Sequence, residues 1–193
     1  IEQDGMDNVV IITPRREKCE NSALEINKKI TTLLFNPSDK HLQFGERTYY
    51  VGSKVMQTDN NYEKNVFNGE IGYIKSIEDV VIEGKKTVQF EVEFKLGDQK
   101  KTVMYEKNEL EQLDLAYAAT CHKLQGSGIK NVIIIIDMTH YTLLDTCMLY
   151  TAITRAKKRC LLLAEPAAFK MCMTNNKSIS RHTWLSLEQQ EGE

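Results

Sequence analysis

No Cys-x-x-Cys pair occurs in the 193 residues, and the five cysteines, Cys19, Cys121, Cys147, Cys160 and Cys172, are scattered and odd in number. That argues against a disulfide framework and against a structural zinc site, and points to a reducing, intracellular setting. The longest apolar run, residues 132–136, falls far short of the roughly 20 residues a membrane span needs, and no secretory signal pattern is present. Charge is nearly balanced at -2, so the whole-chain field does not recruit nucleic acid. Any such binding must come from local clusters, of which Arg15, Arg16 and Lys18, and then Lys157, Lys158 and Arg159, are the candidates. Internal repeats and low-complexity tracts are also absent. What remains, 41% hydrophobic and 27% charged, is the composition of a soluble globular protein. The length holds one medium domain, or one with a small insert. Because the chain begins at Ile1 in a strand approach, it is expected to be a segment of something longer.

Val9-Val10-Ile11-Ile12 is a continuous β-branched run, the pattern of a strand buried on both faces. Thr13-Pro14 ends it, since proline has no N–H for a central ladder, and Arg15 and Arg16 follow at its carboxyl end. Ligands gather at that edge of open parallel sheets; a solvated loop with two charges explains the pair equally well. Residues 21–35 switch to helical spacing through Leu24, Ile26, Ile30, Leu33 and Leu34, with Asn21 or Ser22 as cap. From about residue 43 to 113 the period becomes two. Stretches 49–56, 69–76, 79–82, 87–95 and 101–105 read as short antiparallel strands, with turns at Glu83-Gly84-Lys85-Lys86 and Gly97-Asp98. Such a set predicts a small closed barrel inserted into an α/β pattern. That pattern resumes at Leu115 with strand 132–136, helix 143–154, strand 160–164 and a closing helix 167–173. In the polar tail from Asn175, Trp184 and Leu185 are the residues able to dock.

The densest polar stretch is Tyr117-Ala118-Ala119-Thr120-Cys121-His122-Lys123-Leu124-Gln125-Gly126-Ser127-Gly128, directly before a core strand. Gly126 and Gly128 permit close backbone approach. Backbone N–H groups with the Thr120 and Ser127 hydroxyls form an anion cradle, and His122 and Lys123 suit phosphate contacts. A polar turn with a satisfied histidine is the competing reading. The second constellation, Leu149-Tyr150-Thr151-Ala152-Ile153-Thr154-Arg155-Ala156-Lys157-Lys158, delivers Arg155 at the far end of a helix of small and apolar residues. A guanidinium there can reach a phosphoryl group across a cleft. A helix C-terminus that sets Arg155, Lys157 and Lys158 against the macrodipole explains it too.

Taken together, these pieces resemble the C-terminal motor domain of superfamily-one helicases, specifically the RecD-like branch (the exodeoxyribonuclease V alpha-subunit family). The matching stretches, in the family's order, are Val10-Ile11-Ile12-Thr13-Pro14, Gly52-Ser53-Lys54-Val55-Met56-Gln57-Thr58, Asn60-Asn61-Tyr62, Val66-Phe67-Asn68-Gly69-Glu70-Ile71-Gly72, His122-Lys123-Leu124-Gln125-Gly126-Ser127 and residues 149–157. They run through nearly the whole chain as far as Phe169.

The resemblance implies an α/β fold: a RecA-like second motor domain of the P-loop NTPase type, with a parallel sheet, formed by residues 1–42 and 114–193. A small SH3-like β-barrel, residues 43–113, interrupts it. It implies that Arg155 is the arginine finger and that Gln125, Gly126, Ser127, Gly128 and Thr154 bind ATP or couple its state. Thr13, Pro14, Arg15, Thr120, His122 and Lys123 are implied on the DNA side. The implied activity is ATP-dependent 5′–3′ translocation on single-stranded DNA in repair or recombination, in a cytoplasmic, nucleoid-associated protein. The implied partners are single-stranded DNA, an N-terminal motor domain of the same protein, and nuclease and helicase subunits of a RecBCD-like complex. ATP with Mg2+ would be held mostly by that N-terminal domain, because no Gly-x-x-x-x-Gly-Lys-Ser/Thr occurs here. The segment alone is therefore expected to be inactive and to hold no metal. Asp137 is followed by Met138 rather than an acid, and is read as structural. In one place the sequence departs from the family: Gly128 stands where a glutamate, implied to contact the ribose, is usual. A non-catalytic module binding single-stranded nucleic acid or a partner on a degenerate helicase scaffold is the alternative.

Overall fold

A computed structural model of the chain describes residues 8–82, 84–96, 99–124 and 128–175. The β-branched run forms strand β1 (Val9–Ile12), which pairs in parallel with β10 (Ile129–Ile136) on one side and β9 (Ala118–Ala119) on the other. Strand β11 (Ala156–Ala164) continues the sheet beyond β10, so its order is β11-β10-β1-β9. Helix α1 (Ala23–Leu34) covers one face through Ala23 and Ile26. Helices α2 (Thr146–Ile153) and α3 (Pro166–Thr174) cover the other, burying Met148, Leu149, Ala152, Ala168 and Cys172. Right-handed crossovers account for the split. The chain leaves β1 and β10 in opposite directions across the sheet, so the two following helices fall on opposite faces.

Helix α1 begins at a Ser22 cap whose hydroxyl accepts from the Glu25 N–H at 3.4 Å. Its inner face is not the one the leucines predict. Leu33 is 84% exposed, and Asn27 and Thr31 are buried instead. Asn27 wins that position through hydrogen bonds: Nδ2 donates to the Ala118 and Leu115 carbonyls at 2.8 and 3.1 Å, and Oδ1 accepts from Ala118 N at 2.8 Å. A leucine there would leave those backbone groups unpaired beside the short β9.

Between α1 and β9 lies an antiparallel unit. Strands β2 (His41–Phe44) and β3 (Arg47–Tyr50) form a hairpin. Strands β4 (Lys54–Gln57), β5 (Ile71–Ile82), β6 (Lys85–Leu96), β7 (Gln99–Glu106) and β8 (Leu113–Leu115) form a sheet of order β7-β6-β5-β4-β8. Its core is Tyr49, Phe90, Phe94 and Tyr105 with aliphatic partners. Gly72 is a site of close approach, since a Cβ there would meet the Glu93 carbonyl oxygen at 2.8 Å.

Several boundaries differ from the sequence expectation. Stretch 49–56 breaks at a turn where Gly52 takes φ +92°. Stretches 69–76 and 79–82 join into the single strand β5, with a register shift between Ile74 and Ser76 absorbing the irregular pattern. The barrel is not closed by a ladder among the described residues: the 3-10 helix Lys107–Gln112 carries the chain from β7 to β8. Leu115 belongs to the antiparallel sheet, and the parallel sheet resumes at Ala118. The helix expected over 143–154 is the shorter α2, capped by Asp145, and a separate 3-10 helix Met138–Leu143, capped by Asp137, precedes it, because each aspartate claims the N–H groups of its own first turn. Strand 160–164 begins earlier, at Ala156, and takes in Lys157, Lys158 and Arg159. The Gly97-Asp98 turn, Glu83, Trp184 and Leu185 lie outside the described residues. No helix among the described residues is long and apolar enough to cross a membrane.

Candidate functional site

Strand register sorts the singled-out residues onto two edges of the parallel sheet. Ile12 pairs with Ala119 and with Ile134, so Thr13 and Thr120 leave the carboxyl edge side by side, and Thr13 N donates to the Ala119 carbonyl at 3.2 Å. Ile129 pairs with Ala156, so Gly128 and Arg155 stand together at the amino edge, where Ile129 N donates to the Arg155 carbonyl at 3.0 Å. Thr120 and Gly128 therefore stand at opposite edges of the sheet. Ile129 to Ile134 is five steps of strand, roughly 17 Å at about 3.3 Å per residue.

At the carboxyl edge, Thr13 is fully buried. Its hydroxyl donates to the Asn21 carbonyl at 2.7 Å and lies 3.3 Å from His140 Nε2. The Thr13 side chain therefore lies behind the surface at this edge and positions it from inside. His140 is also buried, with Cys19 Sγ 3.4 Å from Nε2 and Asp137 Oδ1 3.5 Å from Nδ1. Burial pushes its pKa below the ordinary 6.5 and the Arg15 charge adds to that, against the opposing pull of Asp137. Asp137 itself is held below the usual carboxylate value, because hydrogen bonds from Thr139 and Asn21 outweigh the burial that pushes it up. Pro14 and Arg15 are half-buried, and Arg15 donates to Thr142 Oγ1 at 3.0 Å.

His122 is exposed beside buried Cys121, whose thiol is pushed up chiefly by burial. Lys123 pairs with Asp114, the half-buried middle residue of β8. Asp114 is also held by Arg47 at 2.6 Å and approached by Arg16 at 4.0 Å. Arg47 in turn donates to the Leu113 carbonyl at 2.9 Å, as does Tyr49 at 2.6 Å. Burial pushes Tyr49 up to about 12, so it remains a donor across the physiological range. The carboxylate of Asp114 thus ties the antiparallel unit to the 120–124 turn. It lines a cleft of about 290 Å³ with Arg16, Arg47, Phe44, Thr120 and Lys123.

At the amino edge, Thr154 is the α2 C-cap and Arg155 follows it. The Arg155 guanidinium turns back, with Nε donating to the Thr151 carbonyl at 3.2 Å and Nη1 to the Leu124 carbonyl at 3.4 Å. Neither partner is a carboxylate. Gly128 is exposed, and a Cβ built on it would run into the end of the Lys157 side chain. Gln125, Gly126 and Ser127 lie outside the described residues. Among the described residues no cluster of three or more His, Cys, Asp or Glu is arranged to hold a metal ion. Sequence reasoning missed Asn27, Asp114 and His140. Asp114 was detectable as the acid in an otherwise apolar Leu-Asp-Leu-Ala run; the other two carry no local signal.

Residues 26–94 match the family described as the SH3 domain of ATP-dependent RecD-like DNA helicases, and residues 115–163 match the UvrD-like helicase C-terminal domain. Both stretches are thus similar to domains found in helicases. The ATP-dependent RecD2 DNA helicase of Deinococcus radiodurans is 29% identical over 184 residues, covering 95% of this chain and 24% of that protein. The RecBCD enzyme subunit RecD of Buchnera aphidicola is 28% identical over 156 residues, covering 78% of this chain and 24% of that one. The chain spans 17% of one curated relative and 24% of these two. Among solved structures, the Pif1 helicase of Candida albicans superposes with a TM-score of 0.56 at 15% identity, covering 95% of this chain and 49% of that one. Pif1 from Bacteroides in complex with ADP-AlF3 and single-stranded DNA gives 0.56 at 20%, covering 98% and 47%. The chain thus has a parallel-sheet α/β core that resembles the fold of these structures, together with an SH3-like antiparallel unit.

Proposed function

We propose that this chain is the C-terminal motor portion of an ATP-dependent DNA helicase that moves 5′ to 3′ on single-stranded DNA in repair or recombination. In this reading residues 1–42 and 114–193 form the motor domain and 43–113 the insert. The observation that carries it is the 120–128 connection, which joins the edge bearing His122 and Lys123 to the edge bearing Gly128 and Arg155. Arg155 is the group that stabilises charge on a transferring phosphoryl. Gln125, Gly126, Ser127, Gly128 and Thr154 sense the nucleotide. Pro14, Arg15, Thr120, His122 and Lys123 face DNA phosphates, with Thr13 behind them.

ATP would supply the phosphoryl group, with Mg2+ to neutralise its charge. An arginine suits the distal side of a nucleotide, and Mg2+ would be held mostly by an N-terminal motor domain of the same protein, because no Gly-x-x-x-x-Gly-Lys-Ser/Thr occurs in this sequence. Further partners are single-stranded DNA and, by analogy with the RecD relatives, nuclease and helicase subunits of a RecBCD-like assembly; the setting is cytoplasmic and nucleoid-associated.

The test is Arg155→Ala in the full-length protein. ATP turnover falls by roughly a thousandfold or more while single-stranded DNA affinity changes little. Near-normal turnover removes Arg155 from the role. Gly128 favours a second reading, a non-catalytic nucleic-acid-binding module, because it offers no carboxylate to a ribose; full-length protein that binds DNA without hydrolysing ATP would establish that one.

A further inference from the structure

The loop joining β4 to β5 does something the motor reading does not require. It holds two aromatic rings out in solvent on a rigid frame. Tyr62 is 76% exposed and Phe67 38%, and their rings meet edge-to-face with centroids 6.0 Å apart at 78°. Two apolar rings left in water favour collapse onto the nearest core. Here the backbone is held so that they cannot.

Asn61 and Val66 form a two-way backbone bridge at 2.8 and 3.0 Å, and Val66 between the rings is fully buried as the anchor. Lys64 N donates to Asn61 Oδ1 and Asn68 N to Asn60 Oδ1, each at 3.0 Å. Lys101 reaches over from β7 to the Asn65 carbonyl at 2.6 Å, and Asn65 takes φ +50° to make the turn. The loop is rooted by Asn61 Nδ2 on Gln112 Oε1 at 3.1 Å, two residues from Asp114 and the cleft that Lys123 lines.

The chemistry around the rings selects the ligand. Asn60, Asn65 and Asn68 are exposed amides, able to give and accept hydrogen bonds at base edges. The nearby lysines are already engaged, Lys64 by Glu109 and Lys101 by the Asn65 carbonyl, and Asp59 and Glu63 add negative charge. The loop is therefore a poor phosphate site and a good surface for the flat faces of unpaired bases, which stack on aromatic rings irrespective of sequence. We infer that Tyr62 and Phe67 form a base-stacking platform for single-stranded nucleic acid, beside the cleft at the carboxyl edge of the sheet.

This inference rests on the proposed single-stranded DNA function, and the experiment separates the two. Equilibrium binding of the full-length protein is measured with an oligo(dT) strand and with an abasic strand of equal length, across a salt series. Tyr62→Ala is expected to weaken oligo(dT) binding by about tenfold, with an unchanged salt slope and little effect on the abasic strand. Tyr62→Phe restores it and Tyr62→Leu does not. Equal loss on both strands, a reduced salt slope, or no loss with the wild-type affinity intact overturns the platform. Failure of the wild-type protein to bind either strand overturns the DNA reading itself. A thermal melt of each variant, expected to be unchanged for a residue this exposed, separates lost binding from lost fold.

Discussion

Arg155 Nη1 lies 3.4 Å from the carbonyl oxygen of Leu124, in the same turn from which Lys123 reaches Asp114. Two adjacent residues of one short turn are thus held by charge-bearing side chains from different parts of the fold. Arg155 comes from the end of α2, and Asp114 from the strand that closes the antiparallel unit. A shift of Arg155 toward a phosphoryl group would release the Leu124 carbonyl and let the turn move against Asp114. That is a physical route for coupling, carried by adjacent contacts.

Asp114 is the point where that route meets the antiparallel unit. Its carboxylate faces Lys123, Arg47 and Arg16, and its side chain is only 15% exposed. Asp114→Asn removes the charge with little change of shape. The expected loss of stability is about 1–3 kcal/mol, read from chemical denaturation. The same change frees Lys123 and Arg16 for phosphates, so single-stranded DNA affinity of the full-length protein rises and its salt slope steepens. An unchanged slope would take Lys123 off the DNA side.

Gly128 is exposed and shares the amino edge with Arg155, and only the flexible end of Lys157 occupies the space a side chain would need. Gly128→Glu is therefore tolerated, with stability within about 0.5 kcal/mol of wild type, because Lys157 swings aside and pairs with the new carboxylate. If the edge faces a nucleotide ribose, that variant binds ATP more tightly in the full-length protein. Identical affinity shows that the sugar is held elsewhere.

His140 makes stability depend on pH. Burial depresses its folded pKa below 6.5, with Arg15 reinforcing and Asp137 opposing the shift, while the Thr13 hydroxyl and the Cys19 sulfur face Nε2. Between the depressed value and 6.5 the unfolded chain binds the extra proton and the folded one does not. Stability is therefore full above about 6.5 and falls as pH drops below it. Thermal melts from pH 7.5 downward are expected to show that decline, and His140→Asn to flatten it. A decline of equal steepness in the variant assigns it to other groups.

Much of this architecture was legible beforehand. Residues 9–12 and 132–136 announce parallel core strands because a strand buried on both faces needs side chains that are all apolar and β-branched. Alternation at Phe90, Val92 and Phe94 marks the half-wet sheet, and Arg155 stands out at the end of a small-residue helix. The inner face of α1 was not legible. Asn27 is buried for the sake of the Leu115 and Ala118 backbone, a requirement set by residues about ninety positions away. Thr13, which looks like an accessible hydroxyl, is internal because His140 and Asn21 close over it.

The local sequence by itself determined which stretches become strands and helices, and which residue types stand at their ends. Burial patterns and caps act over a few residues, and short-range chemistry is written locally. Only the tertiary structure decided that Thr120 and Gly128 stand at opposite edges of the sheet, that Lys123, Arg47 and Arg16 converge on Asp114, and that Tyr62 and Phe67 remain outside the core. Those relations depend on strand register and on long-range hydrogen bonds, which no window of the sequence contains.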